Sequence, residues 1–171
     1  MEFENRIISR EVNRLLYESK LTLGTAESCT GGRIAEAVIA TPGASNYFKG
    51  SIISYVDEIK ESLLGVDHQL LEEKTAVCEE VAVQMVEGAC KTLNVDFAIA
   101  ATGVAGPGGG TKDNPVGTIW LACGKPGDTV TLKLIEDDGR DLNIARATNK
   151  AMQMFFDYLI ERVSVEDEEE P

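Results

Sequence analysis

Apolar side chains at Ile8, Val12, Leu15 and Leu16 recur at helical spacing and predict an amphipathic helix over Glu2–Lys20. Leu21–Glu27 follows as a short strand, and a Ser/Thr/Gly-rich turn then opens a helix reaching Ala40. Thr41-Pro42-Gly43 breaks that helix, and Phe48–Val56 reads as a second strand with a short helix after it at Glu58–Leu64. The strongest helical stripe is Val81, Ala82, Met85, Val86, Ala89, Cys90 and Leu93, within Glu79–Leu93. Asp96–Ala101 is a continuous run of small apolar residues, as in a strand covered on both faces. It empties into a glycine-rich loop, Thr102–Asn114. Val116–Cys123 and Thr129–Ile135, divided by Lys125-Pro126-Gly127-Asp128, predict an antiparallel hairpin. A last helix is expected from Leu142 to Arg162, with Ile144, Ala151, Met152, Phe155 and Leu159 inward.

Early alternation of strand and helix, followed by a hairpin, predicts an α/β fold: a three-layer α/β/α domain with a mixed sheet. The expected organisation is one domain over residues 1–163 and an acidic disordered tail over 164–171. A length of 171 residues and a hydrophobic fraction of 43% suit one domain with a real core. No apolar run reaches the roughly 20 residues of a membrane span, and the charged N-terminus does not read as a signal peptide, so the cytoplasm is the default location. A net charge of −13 argues against nucleic acid as a partner. It leaves room for a small phosphorylated ligand held by a few local donors.

The candidate chemistry is narrowed by what is scarce. Cys29, Cys78, Cys90 and Cys123 form no CxxC pair, so neither zinc nor a disulfide frame is indicated. The single histidine, His68, lies in Val66-Asp67-His68-Gln69, which reads as an exposed polar loop. A Ser-His-Asp triad and a metal hydrolase are therefore both disfavoured, and acid–base work falls to Lys, Tyr, Asp or Glu.

Four segments remain. In Ala26-Glu27-Ser28-Cys29-Thr30-Gly31-Gly32 a strand ends and a helix begins, a geometry that exposes a hydroxyl and backbone N–H groups to the same space. The same residues also read as an ordinary helix cap made by Ser28 or Thr30. Ser54-Tyr55-Val56-Asp57-Glu58-Ile59-Lys60 brings a tyrosine and a lysine together; Lys60 is either a solvated helix residue or, if buried, a base. Thr102-Gly103-Val104-Ala105-Gly106-Pro107-Gly108-Gly109-Gly110 lets backbone approach a ligand, but matches neither the phosphate-loop nor the dinucleotide pattern. Arg140, in Gly139-Arg140-Asp141 before the last helix, suits a phosphate or a neighbouring acid.

In this order and spacing, AESCTGG, SYVDEIKESLLGV, TGVAGPGGG, NPVGTIW and GRD resemble the CinA C-terminal domain family, over about Leu21–Ala151. The molybdopterin-binding-like domain of two-domain members has no counterpart in these residues. Stand-alone members are nicotinamide-nucleotide amidases, so the resemblance implies a cofactor- and metal-free Ser/Lys amidohydrolase that takes nicotinamide mononucleotide. It implies Ser28 as nucleophile, Lys60 as base, and Tyr55 as a residue that orients Lys60 or relays a proton. Backbone N–H groups at Cys29 and Thr30 would form the oxyanion hole. Thr102, Gly103, Gly106 and Gly108 would line the nucleotide pocket, and Arg140 would bind the phosphate. A homo-oligomer is compatible with this reading.

Two departures from the family pattern matter. Asp57 replaces an amide beside the proposed base, and a carboxylate there favours charged lysine. Cys78 stands where relatives usually carry serine. The rival expectations are a pyridine-nucleotide-binding module that has lost catalysis, and an enzyme using Cys29 as nucleophile.

Overall fold

The computed structural model describes residues 2–166. The chain runs α1 (Glu2–Ser19), β1 (Leu23–Glu27), α2 (Arg33–Ile39), β2 (Phe48–Ile53), α3 (Asp57–Leu64), α4 (His68–Lys74), α5 (Glu79–Leu93), β3 (Phe97–Gly103), β4 (Ile119–Lys125), β5 (Asp128–Leu134) and α6 (Arg140–Glu166). The five strands form one mixed sheet in the order β2-β1-β3-β4-β5. β1 pairs in parallel with β2 and β3, and the β3–β4 and β4–β5 pairs are antiparallel.

Strand periodicity divides the core between the two faces. Phe97, Ile99 and Ala101 pack with α1, α2 and α6. Ala98 and Ala100 join Val81, Met85, Val86 and Ala89 of α5 on the other side. The small residues of β3 leave room for a helix on each face, so the strand is buried along nearly its whole length. The expected three layers are present.

The connections explain where a ligand would sit. From β1 the chain crosses to β2 through α2 on one face, then returns past β1 to β3 through α3, α4 and α5 on the other. The topology therefore switches at β1, and the carboxyl ends of such strands are where open α/β sheets bind ligands. Ser28 directly follows β1, and Thr102 and Gly103 end β3. The β1 ladder even continues one step beyond the strand, with Ser28 N–H donating to Ala101 O at 2.9 Å and Ser54 N–H to Glu27 O at 2.8 Å.

Several boundaries differ from those predicted. β2 stops at Ile53 rather than Val56, so Tyr55 lies on the connection to α3. α2 starts at Arg33, leaving residues 28–32 as a turn. The expected polar loop at His68 is the start of α4; Asp67 caps it by accepting from Gln69 N–H at 2.8 Å. Its seven residues are too few and too polar to show periodicity. The hairpin registers Lys125 against Asp128, so its turn is only Pro126-Gly127 and β4 begins later than expected. α6 begins at Arg140 and runs to Glu166, which places the expected tail boundary inside a helix; residues 167–171 lie outside the described residues. No described helix is long and apolar enough to cross a membrane.

Candidate active site

Of the two sequence readings of Lys60, the buried one holds: its exposure is 1%. α3 starts directly after the extended Val56, and its first turn carries Lys60 back beneath the end of β2. There the Lys60 Nζ lies 3.1 Å from Ser28 Oγ and donates to Ser54 O at 2.9 Å. Asp57 Oδ1 stands 3.7 Å away on the solvent side, with a half-exposed side chain. Burial lowers the Lys60 pKa from the ordinary lysine value, and Asp57 opposes that shift only in part. A buried amine with a lowered pKa, within reach of a hydroxyl, is the arrangement that lysine-based general catalysis requires.

Ser28 and Cys29 are both 7% exposed, but their chemistry differs. Burial pushes the Cys29 thiol up to about 12, which keeps it protonated and unreactive at neutral pH. Ser28 has the base. The N–H of Ser28 is taken by Ala101 O, whereas the N–H groups of Cys29 and Thr30 have no protein acceptor among the described residues. These two donors sit on the same turn as the Ser28 hydroxyl, as an oxyanion hole requires.

The turn is organised by a residue that sequence reasoning passed over. Glu27, the last residue of β1, is fully buried and accepts hydrogen bonds from Thr30 Oγ1 at 2.7 Å and Gly32 N–H at 3.0 Å. It also accepts from the N–H groups of Ile34 and Ala35, at 3.1 and 2.8 Å. An acid closing a strand just before a Ser/Thr/Gly turn was the available signal. Capping acids ordinarily stand at the helix start, whereas Glu27 stands before the turn.

The other expected residues form the rim. Arg140 donates through Nη1 to Gly106 O at 2.7 Å and through Nη2 to the Tyr55 hydroxyl at 3.2 Å. One guanidinium thus joins the glycine loop, the segment after β2 and the start of α6, with donors left over for an anion. Tyr55 is largely exposed, and no hydrogen bond joins it to Lys60 or Ser28 among the described residues. Thr102 is buried and its hydroxyl holds Ala76 O at 2.9 Å, which makes it a tie between β3 and the segment preceding α5. Gly103 continues β3, Gly106 is buried beside Arg140, and Gly108 lies exposed at the loop tip. The loop is fixed rather than slack: Val104 N–H donates to Thr118 O and Gly117 N–H to Val104 O, both at 2.8 Å. Buried Asn143 of α6, a second residue not foreseen, holds Ala105 O at 3.1 Å. His68 faces Glu61 and Glu72 on the surface and takes no part.

The fold is shared with known proteins. The CinA C-terminal domain family matches residues 5–159, and the chain belongs to that family. A CinA-like protein of Gloeobacter violaceus is 45% identical over 82% of this chain and 33% of its own. One of Flavobacterium psychrophilum is 38% identical over 94% of this chain and 38% of its own. The chain thus spans only about a third of the length of these relatives. Among solved structures, the competence damage-inducible protein A of Klebsiella pneumoniae superposes with a TM-score of 0.88 at 31% identity, covering 92% of this chain and 98% of that one. A competence/damage inducible protein of Agrobacterium tumefaciens gives 0.85 at 32% identity, over 89% and 93%.

Proposed function

We propose that this chain is an amidohydrolase that converts nicotinamide mononucleotide and water to nicotinic acid mononucleotide and ammonia. The observation that carries the reading is the buried Lys60 Nζ at 3.1 Å from Ser28 Oγ. Neutral Lys60 takes the Ser28 proton as Oγ attacks the carboxamide carbon, and the oxyanion is received by the Cys29 and Thr30 N–H groups. The tetrahedral intermediate collapses with cleavage of the C–N bond; the lysine proton passes to the leaving nitrogen, and ammonia departs from an ester on Ser28. Lys60 then deprotonates a water that attacks the ester, and the proton returns to Ser28 as the acid product leaves. Arg140 and the glycine loop take the phosphorylated end, and Tyr55 positions Arg140 through its hydroxyl.

Ammonia release from the mononucleotide by the purified chain tests this directly. Ser28→Ala and Lys60→Met are each expected to lower the rate by at least about a hundredfold, since general-base assistance alone contributes roughly 10²–10⁴. Cys29→Ala is expected to retain most of it. An active Ser28→Ala variant would remove serine from the mechanism. The position of Asp57 beside Lys60 favours one other reading, a nucleotide-binding module without turnover. Binding of the mononucleotide with no ammonia released by the wild-type chain would establish that one instead.

A further inference from the structure

Sequence reasoning left two jobs open for Ser28 and Thr30: nucleophile and oxyanion hole, or helix cap. The structure gives the capping to another residue. Side-chain alternation along β1 sets Glu27 on the same face as Leu23 and Thr25, the face covered by α2. Its Oε2 receives Thr30 Oγ1, Gly32 N–H and Ile34 N–H, and its Oε1 receives Ala35 N–H at 2.8 Å with Thr25 Oγ1 at 3.2 Å. Every partner is a donor, which matches the acceptor-only chemistry of a carboxylate. Gly32, which precedes α2, makes no side-chain cap of its own. Because Glu27 satisfies the donors opening α2, the Ser28 hydroxyl is left to Lys60.

We propose that Glu27 is a positioning residue for the oxyanion hole. The turn 28–32 is held at its start by the strand ladder, through Ser28 N–H to Ala101 O, and at its end by the Glu27 carboxylate on Gly32 N–H. Between these anchors lie the two N–H groups that have no protein acceptor among the described residues. Thr30 joins the two functions: its hydroxyl is tethered to Glu27 while its N–H is one of the oxyanion donors. Stabilisation of a developing charge depends on donors held in place before the charge arises. Glu27 supplies that rigidity from beneath the turn, without touching substrate. Its carboxylate also closes the start of α2 to substrate anions, which leaves the phosphate to Arg140. This inference rests on the Ser28/Lys60 amidase reading.

The test compares Glu27→Gln, Thr30→Val and Thr30→Ser with the wild type. In Glu27→Gln an NH₂ must face an N–H donor whichever way the amide is turned. Thr30→Val deletes only the tether, and Thr30→Ser keeps it. The Gln and Val variants are expected to lower kcat roughly ten- to a hundredfold, less than the 10²–10³ for deleting an oxyanion donor outright. KM and the pH midpoint of activity should hold, because Arg140 and the contacts of Lys60 are untouched. Thr30→Ser, which restores the hydroxyl, should recover most of the kcat lost in Thr30→Val. Wild-type kcat in Thr30→Val, or a loss that appears in KM or in the pH midpoint instead, overturns the proposal. If Glu27→Gln does not fold by circular dichroism, the Thr30 pair decides alone. Should the wild type release no ammonia, the amidase reading falls, and the burst of Ser28 acylation by p-nitrophenyl acetate makes the same comparison. A wild type that does neither overturns both.

Discussion

Lys60 and Asp57 set the pH at which the site can work. A lysine base acts only when neutral, so activity is expected to rise with pH through the Lys60 pKa. Burial lowers that pKa, and Asp57, at 3.7 Å, raises it again in part. Asp57→Asn removes the opposing charge, so neutral lysine forms at lower pH and the rise in ammonia release should move to lower pH. The half-exposed Asp57 side chain is screened by solvent, which keeps the expected displacement modest. A profile that stays in place or moves upward means Asp57 does not act on the base. At this scale the sequence offered Ser28, Lys60 and Arg140 as candidates by residue type, and their roles only through the resemblance of their motifs to a family; the fold brings Lys60 Nζ within 3.1 Å of Ser28 Oγ. The sequence did not offer Glu27 or Asn143. The donors that meet Glu27 all lie within eight residues of it, but only the folded turn brings them back onto its carboxylate. Asn143 donates to Ala105 O, 38 positions away, and both residue types are ordinary on a surface.

Between elements, the position of Lys60 depends on how closely α3 approaches α5. Gly88, in the middle of α5, makes that approach possible: a Cβ built there would lie 1.9 Å from Leu64 O and 2.7 Å from Leu64 Cα. Both atoms are backbone and cannot rotate away. Gly88→Ala should therefore destabilise the protein by roughly 1–3 kcal/mol through overpacking, although alanine is the better helix former. Because α3 must shift to accommodate the methyl group, Lys60 shifts with it, and ammonia release should fall further than the folded fraction explains. Thermal unfolding together with specific activity checks both parts; a variant as stable as wild type would show that the two helices have slack. The helical stripe of α5 was plain in the sequence because one face is apolar over four turns. Gly88 was not, since a glycine within a stripe carries no sign of what passes over it. α4 was missed and β2 ended early for a related reason. Short elements are fixed by single contacts, such as Asp67 on Gln69 N–H and Ser54 O on Lys60, rather than by any repeating pattern.

Across the whole molecule, the site is assembled from four distant stretches: residues 27–32, 54–60, 102–106 and the start of α6 at Arg140. Arg140 is the point where the last three converge near the first, through Gly106 and Tyr55. If it holds the phosphate, Arg140→Ala should raise KM for nicotinamide mononucleotide about ten- to a hundredfold, the equivalent of a charge-assisted contact of roughly 1.5–3 kcal/mol. Nicotinamide riboside, without the phosphate, should be affected much less; equal losses on both would give Arg140 a purely structural role. The central pairing of the sheet has a consequence in time. Thr22 and Asp96, 74 positions apart, clasp each other at the foot of β1 and β3: Asp96 Oδ2 accepts both Thr22 N–H and its hydroxyl at 2.8 Å, and Asp96 N–H donates to Thr22 Oγ1 at 3.0 Å. On a ribosome adding roughly 5–20 residues per second, β1 waits several seconds for its second neighbour to be made, and longer still for α6. Throughout that interval a nascent chain carries Ser28 as an ordinary hydroxyl, and the surroundings that distinguish it arrive together, when the sheet closes.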